Sequence, residues 1–323
     1  MSTAIEKTLY TLMQRIRMFE ERVVLLYPEQ EMKCPVHLCI GQEAIAAGVC
    51  ANLRKQDYVL SNHRSHGHLI AKGMDMALMF AEFYGKATGA SRGKGGSMHL
   101  IDAANSMPGT SAIVGGGIPM AVGAALASKM QGEDRISVAF FGDGAADEGV
   151  FYESLNFSAL KKLPVIFICE NNFYATNSHL TARRPTKDIA PSGQPFNIPF
   201  ETIDGNDVLA VHNSAKKAIS RAKGNEGPTL IEAITYRWKG HVGPDADFQK
   251  GFRPRTELEE WIKGCPIKRF EGHLLKNNIV TQKEMDSIRA DISIELDSAV
   301  RFAKESPYPD PEDILKDVYY TAR

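Results

Sequence analysis

The sequence is short of most features that would set it apart from ordinary globular chains. Its 323 residues include five cysteines and no C-x-x-C pair. An odd count without paired spacing argues against a disulfide framework, so Cys34, Cys39, Cys50, Cys169 and Cys265 read as free thiols. No stretch reaches the roughly 18–20 apolar residues of a membrane helix. The formal net charge is −1 and no long basic run appears, which argues against nucleic acid as a main partner. Also missing are the G-x-G-x-x-G dinucleotide fingerprint at a strand-to-helix turn and the G-x-x-x-x-G-K-[ST] phosphate loop. Charges interrupt every apolar stretch of residues 1–24, so that segment does not read as a signal peptide. With free thiols, the expected compartment is the cytoplasm.

What is present is alternation. Leu9, Leu12, Met13, Ile16, Phe19 and Val23 recur at three- and four-residue spacing, which predicts an amphipathic helix in an N-terminal arm over 1–35. A helix is expected from Gln42 to about Leu53, and a strand over 57–61. The runs Ile136–Phe141, Val165–Cys169 and Leu230–Ile234 are apolar apart from Ser137 and Glu232, as in parallel strands covered on both faces. Helical patterns over 147–162 and 207–223 separate them, with a shorter strand over 200–203. This βαβαβ order predicts a doubly wound, mostly parallel α/β sheet. The whole chain, 1–323, reads as one α/β domain with a C-terminal helical segment over 255–323. Ile288, Ile292, Ile294, Leu296, Val300 and Phe302 mark the last helix. Between Gly85 and Pro119 runs a glycine-rich loop whose Arg92–Gly96 core is basic, and anion binding and a plain linker are both open there.

Chemistry is expected outside the carboxyl ends of parallel strands. The run Ile136–Phe141 leads into Gly142-Asp143-Gly144, and the run Val165–Cys169 leads into Asn171-Asn172. Glycines allow close backbone approach to a ligand, and a following helix N-terminus favours an anion such as phosphate. A carboxylate there would repel phosphate unless a cation lay between them. Aspartate, amide and carbonyl oxygens suit magnesium or calcium. Alone, Gly-Asp-Gly reads as a βα turn in which Asp143 caps a helix. Paired with Asn-Asn at this interval, it reads as a metal–diphosphate site.

GDG followed by NN, together with "HLCIGQEA" (37–44), "HRSHG" (63–67), "RGKGGSMH" (92–99), "AIVGGGIP" (112–119), "GPTLIEAITYRWKGH" (227–241) and "PYPDPEDI" (307–314), resembles thiamine diphosphate enzymes. More narrowly it resembles the alpha subunits of heterotetrameric 2-oxo acid and acetoin dehydrogenases. The resemblance implies the diphosphate-binding domain of that fold, with thiamine diphosphate and Mg²⁺ as cofactors. It implies Asp143, Asn172 and the Tyr174 carbonyl as magnesium ligands. Gly144 and Ala145 would give amides to the diphosphate. His63, Arg64, Arg237 and His241 would lie at the phosphates or cofactor mouth, and the main chain at Ala112 and Val114 would face the aminopyrimidine. His66 and His241 would position substrate and move protons. His37 and His99 are expected to be structural, and His179, His212 and His273 to lie at the surface or in loops.

The resemblance further implies a two-step reaction. A 2-oxo acid such as pyruvate is decarboxylated, or acetoin is cleaved, and the acyl group passes to a lipoyl-bearing acyltransferase. The activating glutamate would come from a beta subunit in an α₂β₂ assembly, with Glu43 structural. Three positions depart from the mammalian pyruvate enzymes: His63 replaces tyrosine, Ala112 replaces glycine, and Val242 replaces a regulatory serine. Two other readings compete: half of a transketolase-like transferase acting on a sugar or hydroxyketone, and a silent assembly subunit.

Overall fold

The computed structural model describes residues 2–316 and 318–319. Met1, Asp317 and residues 320–323, which the expected domain includes, lie outside the described residues. Helix α1 (Thr3–Leu26) starts where the Ser2 side chain accepts the Ile5 amide, a helix N-cap. It buries Leu9, Met13, Ile16, Phe19 and Val23, the stripe its spacing predicts. Pro28, in the 3₁₀ turn that follows, cannot donate to a continuing helix.

The sheet holds β1 (Tyr58–Leu60), β2 (Ser137–Gly142), β3 (Val165–Asn171), β6 (Phe200–Asp204) and β7 (Thr229–Ile234), in the order β1-β2-β3-β7-β6. Every pairing is parallel. A two-stranded antiparallel ribbon, β4 (Tyr174–Ala175) with β5 (Ser178–His179), follows β3. Alternation along the strands sorts the core into two layers. Val138, Phe140, Ile166, Ile168 and Ile231 point to one side, where α1, α2 (Glu43–Cys50), α4 (Met76–Phe83) and α7 (Val208–Lys223) cover them. Ala139, Phe141, Val165, Phe167 and Cys169 point to the other, under α5 (Gly117–Met130) and α6 (Gly149–Leu160). Strands buried on both faces are apolar along most of their length; the buried Glu232 within β7 is satisfied by the Asn171 side chain and the amides of Ile189 and Ala190.

Past β7 come α8 (Arg255–Lys263), α9 (Pro266–Lys276) and α10 (Gln282–Glu305). In α10 the buried residues are Met285, Ile292, Leu296, Ala299 and Ala303. Ile294 and Phe302 are exposed, correcting their place in the expected stripe: two residues beyond Ile292 is about 200° around a helix. Among the described residues no helix is long and apolar enough to cross a membrane.

The basic loop does hold an anion, and the anion is internal. The buried Glu82 carboxylate accepts amides from Ser91 (2.7 Å), Gly93 (2.9 Å), Gly95 (2.7 Å) and Gly96 (2.9 Å). Four converging N–H groups satisfy the buried charge and pin the loop to α4.

Candidate active site

A cleft of about 740 Å³, open to solvent, lies outside the carboxyl ends of β1, β2 and β3. Its position follows from register. Gly142 lies opposite Glu170, so Asp143 and the Asn171-Asn172 pair leave adjacent strands at the same level. Asp143 is buried, and the Arg183 guanidinium pairs with its carboxylate. Burial pushes its pKa up, and Arg183 opposes that shift. A buried carboxylate needs a cation beside it; here Arg183 supplies one, bridging to Asp147 as well.

The two asparagines divide. Asn171 turns inward, donating to Glu232 at 2.6 Å and accepting the Phe173 amide at 3.1 Å. Asn172 lines the cleft, donates to the Gln42 side chain at 3.2 Å and accepts the Tyr174 amide at 3.3 Å. Phe173 takes φ +69°, a left-handed kink that brings Tyr174 back to the cleft wall. Gly144 is required by space, since a Cβ there would stand 2.8 Å from the Ala175 Cβ. Gly142 is not: its backbone is extended and a Cβ would meet nothing within 4 Å. The helix expected over 147–162 is present as α6 (Gly149–Leu160). Asp143–Asp147 is a 3₁₀ turn, and α6 begins at Gly149.

Arg64 lines the cleft, buried, donating to the carbonyls of Leu38 (2.6 Å) and His241 (3.3 Å). Burial lowers its pKa. Val114, Gly144, Ala145, Asn172, Tyr174, His63 and His241 line the cleft too. Three expected residues do not. Ala112 lies one residue from the lining Ile113. Arg237 is fully buried behind the wall, bonded to Asp247 (2.8 Å) and to the carbonyl of the lining residue Thr176 (2.6 Å). Burial and neighbouring Arg64 push it down to about 9.

His66 is the largest correction. It opens α3 (His66–Lys72), fully buried, with Nδ1 2.6 Å from Glu20 and Nε2 2.7 Å from Ser97. Both ring nitrogens are engaged away from the cleft, so the fold leaves it nothing to offer a substrate there. His212, expected at the surface, is instead buried on α7 and bonded to Asn52.

Sequence reasoning missed two residues that line the cleft, Gln42 and Glu170, and one packed behind the lining histidines, His37. His37 was expected to be structural, yet its ring centroid lies 4.8 Å from that of His63 and 5.0 Å from that of His241. Gln42 presents a buried Nε2 with no hydrogen-bond partner. Glu170 lines the cleft and meets His68 at 3.2 Å, while His68 stacks on Phe140 at 3.9 Å. Glu170 stands immediately before Asn171-Asn172, and His37 and Gln42 stand within 37–44, the positional signal that was there to use. Burial first, then the Arg64 guanidinium, lowers His37 to about 2, His63 to about 3 and His241 to about 4. All three imidazoles are therefore neutral at neutral pH.

These residues fit a diphosphate held through a divalent cation. Asp143 and Asn172 present hard oxygens on one wall, open space lies over Gly142, and Gln42 holds an unspent donor. Arg64 and the imidazoles set a cation and further donors at the mouth. In a parallel α/β sheet, a cleft outside the carboxyl ends of the strands is where a ligand or cofactor binds.

Comparison with known families makes the assignment specific. The Dehydrogenase E1 component family model matches residues 11–312, and the chain belongs to that family, which generally uses thiamine diphosphate. It is 43% identical over 312 residues to the alpha subunit of acetoin:2,6-dichlorophenolindophenol oxidoreductase of Bacillus subtilis, covering 96% of this chain and 92% of that one. It is 40% identical over 307 residues to the pyruvate dehydrogenase E1 component subunit alpha of Porphyra purpurea, covering 93% and 88%. A second acetoin oxidoreductase alpha subunit, from Cupriavidus necator, is 40% identical over 314 residues, covering 97% and 93%.

Proposed function

We propose that this chain is the alpha subunit of a thiamine diphosphate- and Mg²⁺-dependent dehydrogenase that decarboxylates a 2-oxo acid such as pyruvate, or cleaves acetoin, and passes the acyl group to a lipoyl acceptor. The observation that carries the reading is the convergence of Asp143, Asn172 and Tyr174 on one wall of the strand-end cleft. Bound there, the cofactor supplies the carbanion chemistry and the electron sink. The chain supplies the grip. Asp143, Asn172 and the Tyr174 carbonyl would hold the magnesium, and the amides of Gly144 and Ala145 would face the diphosphate. Gln42 fixes the Asn172 amide group with its nitrogen turned to Gln42, so that its oxygen, which also accepts the Tyr174 amide, would face the metal. Arg237 acts from behind, anchoring the Thr176 carbonyl.

Neutral His37, His63 and His241 would meet the reacting end as hydrogen-bonding groups. A bound anion offsets Arg64 and Arg237, raising the three pKa values back toward the range in which a histidine moves protons. The resemblance to the alpha subunits assigns the glutamate that activates the aminopyrimidine to a beta subunit, in an α₂β₂ assembly. The whole of 1–323 serves as one diphosphate-binding domain, and five free thiols fit a reducing cytoplasm. Co-expression with a beta subunit, then assay of pyruvate, other 2-oxo acids, acetoin and ketoses with thiamine diphosphate and magnesium, tests this. Acyl transfer to lipoamide from a 2-oxo acid or acetoin supports it; turnover of ketoses alone would shift the reading to a transketolase-like half-enzyme.

A further inference from the structure

The three imidazoles at the cleft mouth come from three separate segments: His37 from the loop before α2, His63 from the loop after β1, and His241 from the loop after β7. Their rings meet edge to face, with centroids 4.8, 5.0 and 5.4 Å apart. One ring nitrogen from each can be chosen so that all three lie within 4.8 Å of one another. His37 is more than nine-tenths buried, and its Nδ1 has no hydrogen-bond partner among the described residues. Such an orphaned nitrogen in a polar cluster calls for a ligand.

We propose that His37, His63 and His241 form a second metal site, for a borderline dication of the zinc class, distinct from the oxygen site at Asp143, and that a metal held there closes the cleft to the cofactor. Imidazole suits zinc, cobalt, nickel and copper, whereas magnesium prefers oxygen. Metal binding needs deprotonated ligands, and burial with Arg64 keeps all three imidazoles neutral. Three histidines leave the fourth tetrahedral position for water. Zn–N bonds of about 2.0–2.1 Å set ring nitrogens about 3.3 Å apart, so the cluster must tighten by about 1.5 Å. His63 and His241 are only half-buried and can turn toward His37. Arg64 opposes a cation here and weakens the site; Asp247, which pairs with Arg237 and Arg253, offsets part of that. The closing effect rests on the cofactor reading above; the metal site itself does not.

The test is titration of the metal-stripped full chain, alone and in complex with a beta subunit, with Co²⁺ in excess Mg²⁺, read by visible absorption, with Zn²⁺ as competitor. The expected result is one intense tetrahedral cobalt band, removed by zinc and by thiamine diphosphate. His37→Gln and His63→Gln should each weaken cobalt binding by on the order of 10-fold or more, since even loss of an outer-sphere partner costs about 10–100-fold. His63→Gln, at a half-buried loop position, covers the case in which His37→Gln does not fold. No tetrahedral band, or a band unchanged in both folded variants, overturns the site. A band that persists with thiamine diphosphate bound overturns the closure. A histidine-dependent band in a complex with a beta subunit that binds no thiamine diphosphate leaves the metal site standing and removes the cofactor reading.

Discussion

Acid should destabilise this protein through the histidines of its cleft, and His37 lets the effect be sized. Its pKa falls from an ordinary 6.5 to about 2 on folding, through burial and the nearby Arg64 guanidinium. The sign follows from proton binding. The unfolded chain protonates His37 as pH drops through 6.5 and the native chain does not, so stability is lost as pH falls below that value. Integrating from about pH 7 to about pH 5 gives a loss of about 2 kcal/mol from His37 alone. His63 and His241, held to about 3 and about 4, act in the same direction. Against a total stability of roughly 5–15 kcal/mol, one histidine is a measurable share. Urea unfolding of wild type and His37→Gln across this range reads it. The variant should lose about 2 kcal/mol less than wild type on acidification. Parallel curves would show that His37 titrates normally in the native state, and the burial argument would be wrong.

The other predictions concern single contacts. Gln42→Ala leaves the Asn172 amide unheld and should weaken magnesium-dependent cofactor binding about 10–100-fold by calorimetry, with little change in melting temperature. His66→Ala strips a buried Glu20 oxygen of its partner and should cost about 1–3 kcal/mol or more in urea unfolding, while cofactor affinity of the folded variant stays near wild type. Phe167→Ala, in the layer under α5 and α6, should cost about 3–5 kcal/mol by the same measurement.

The parallel sheet was legible because β2, β3 and β7 are buried on both faces, which leaves runs broken only by Ser137 and Glu232. Asp143 and Asn172 were legible because each follows such a run where its strand stops. The imidazole cluster was not, since His37, His63 and His241 are 26 and then 178 residues apart and meet only when three loops close over the strand ends. His66 misled for a related reason. It sits two residues from Arg64 in a histidine-rich stretch, but the start of α3 turns it into the core toward Glu20, and no local pattern records that rotation. The basic loop at 92–96 advertised anion binding without revealing that the anion is Glu82 of its own chain.

The central claim is that Asp143 holds a divalent cation against a diphosphate. Calorimetry of thiamine diphosphate binding, with and without magnesium, to wild type and to Asp143→Asn in complex with a beta subunit tests it most directly. Wild type should bind only with magnesium, and the folded variant should lose that magnesium-dependent binding. Equal, magnesium-dependent binding by both proteins would contradict the account.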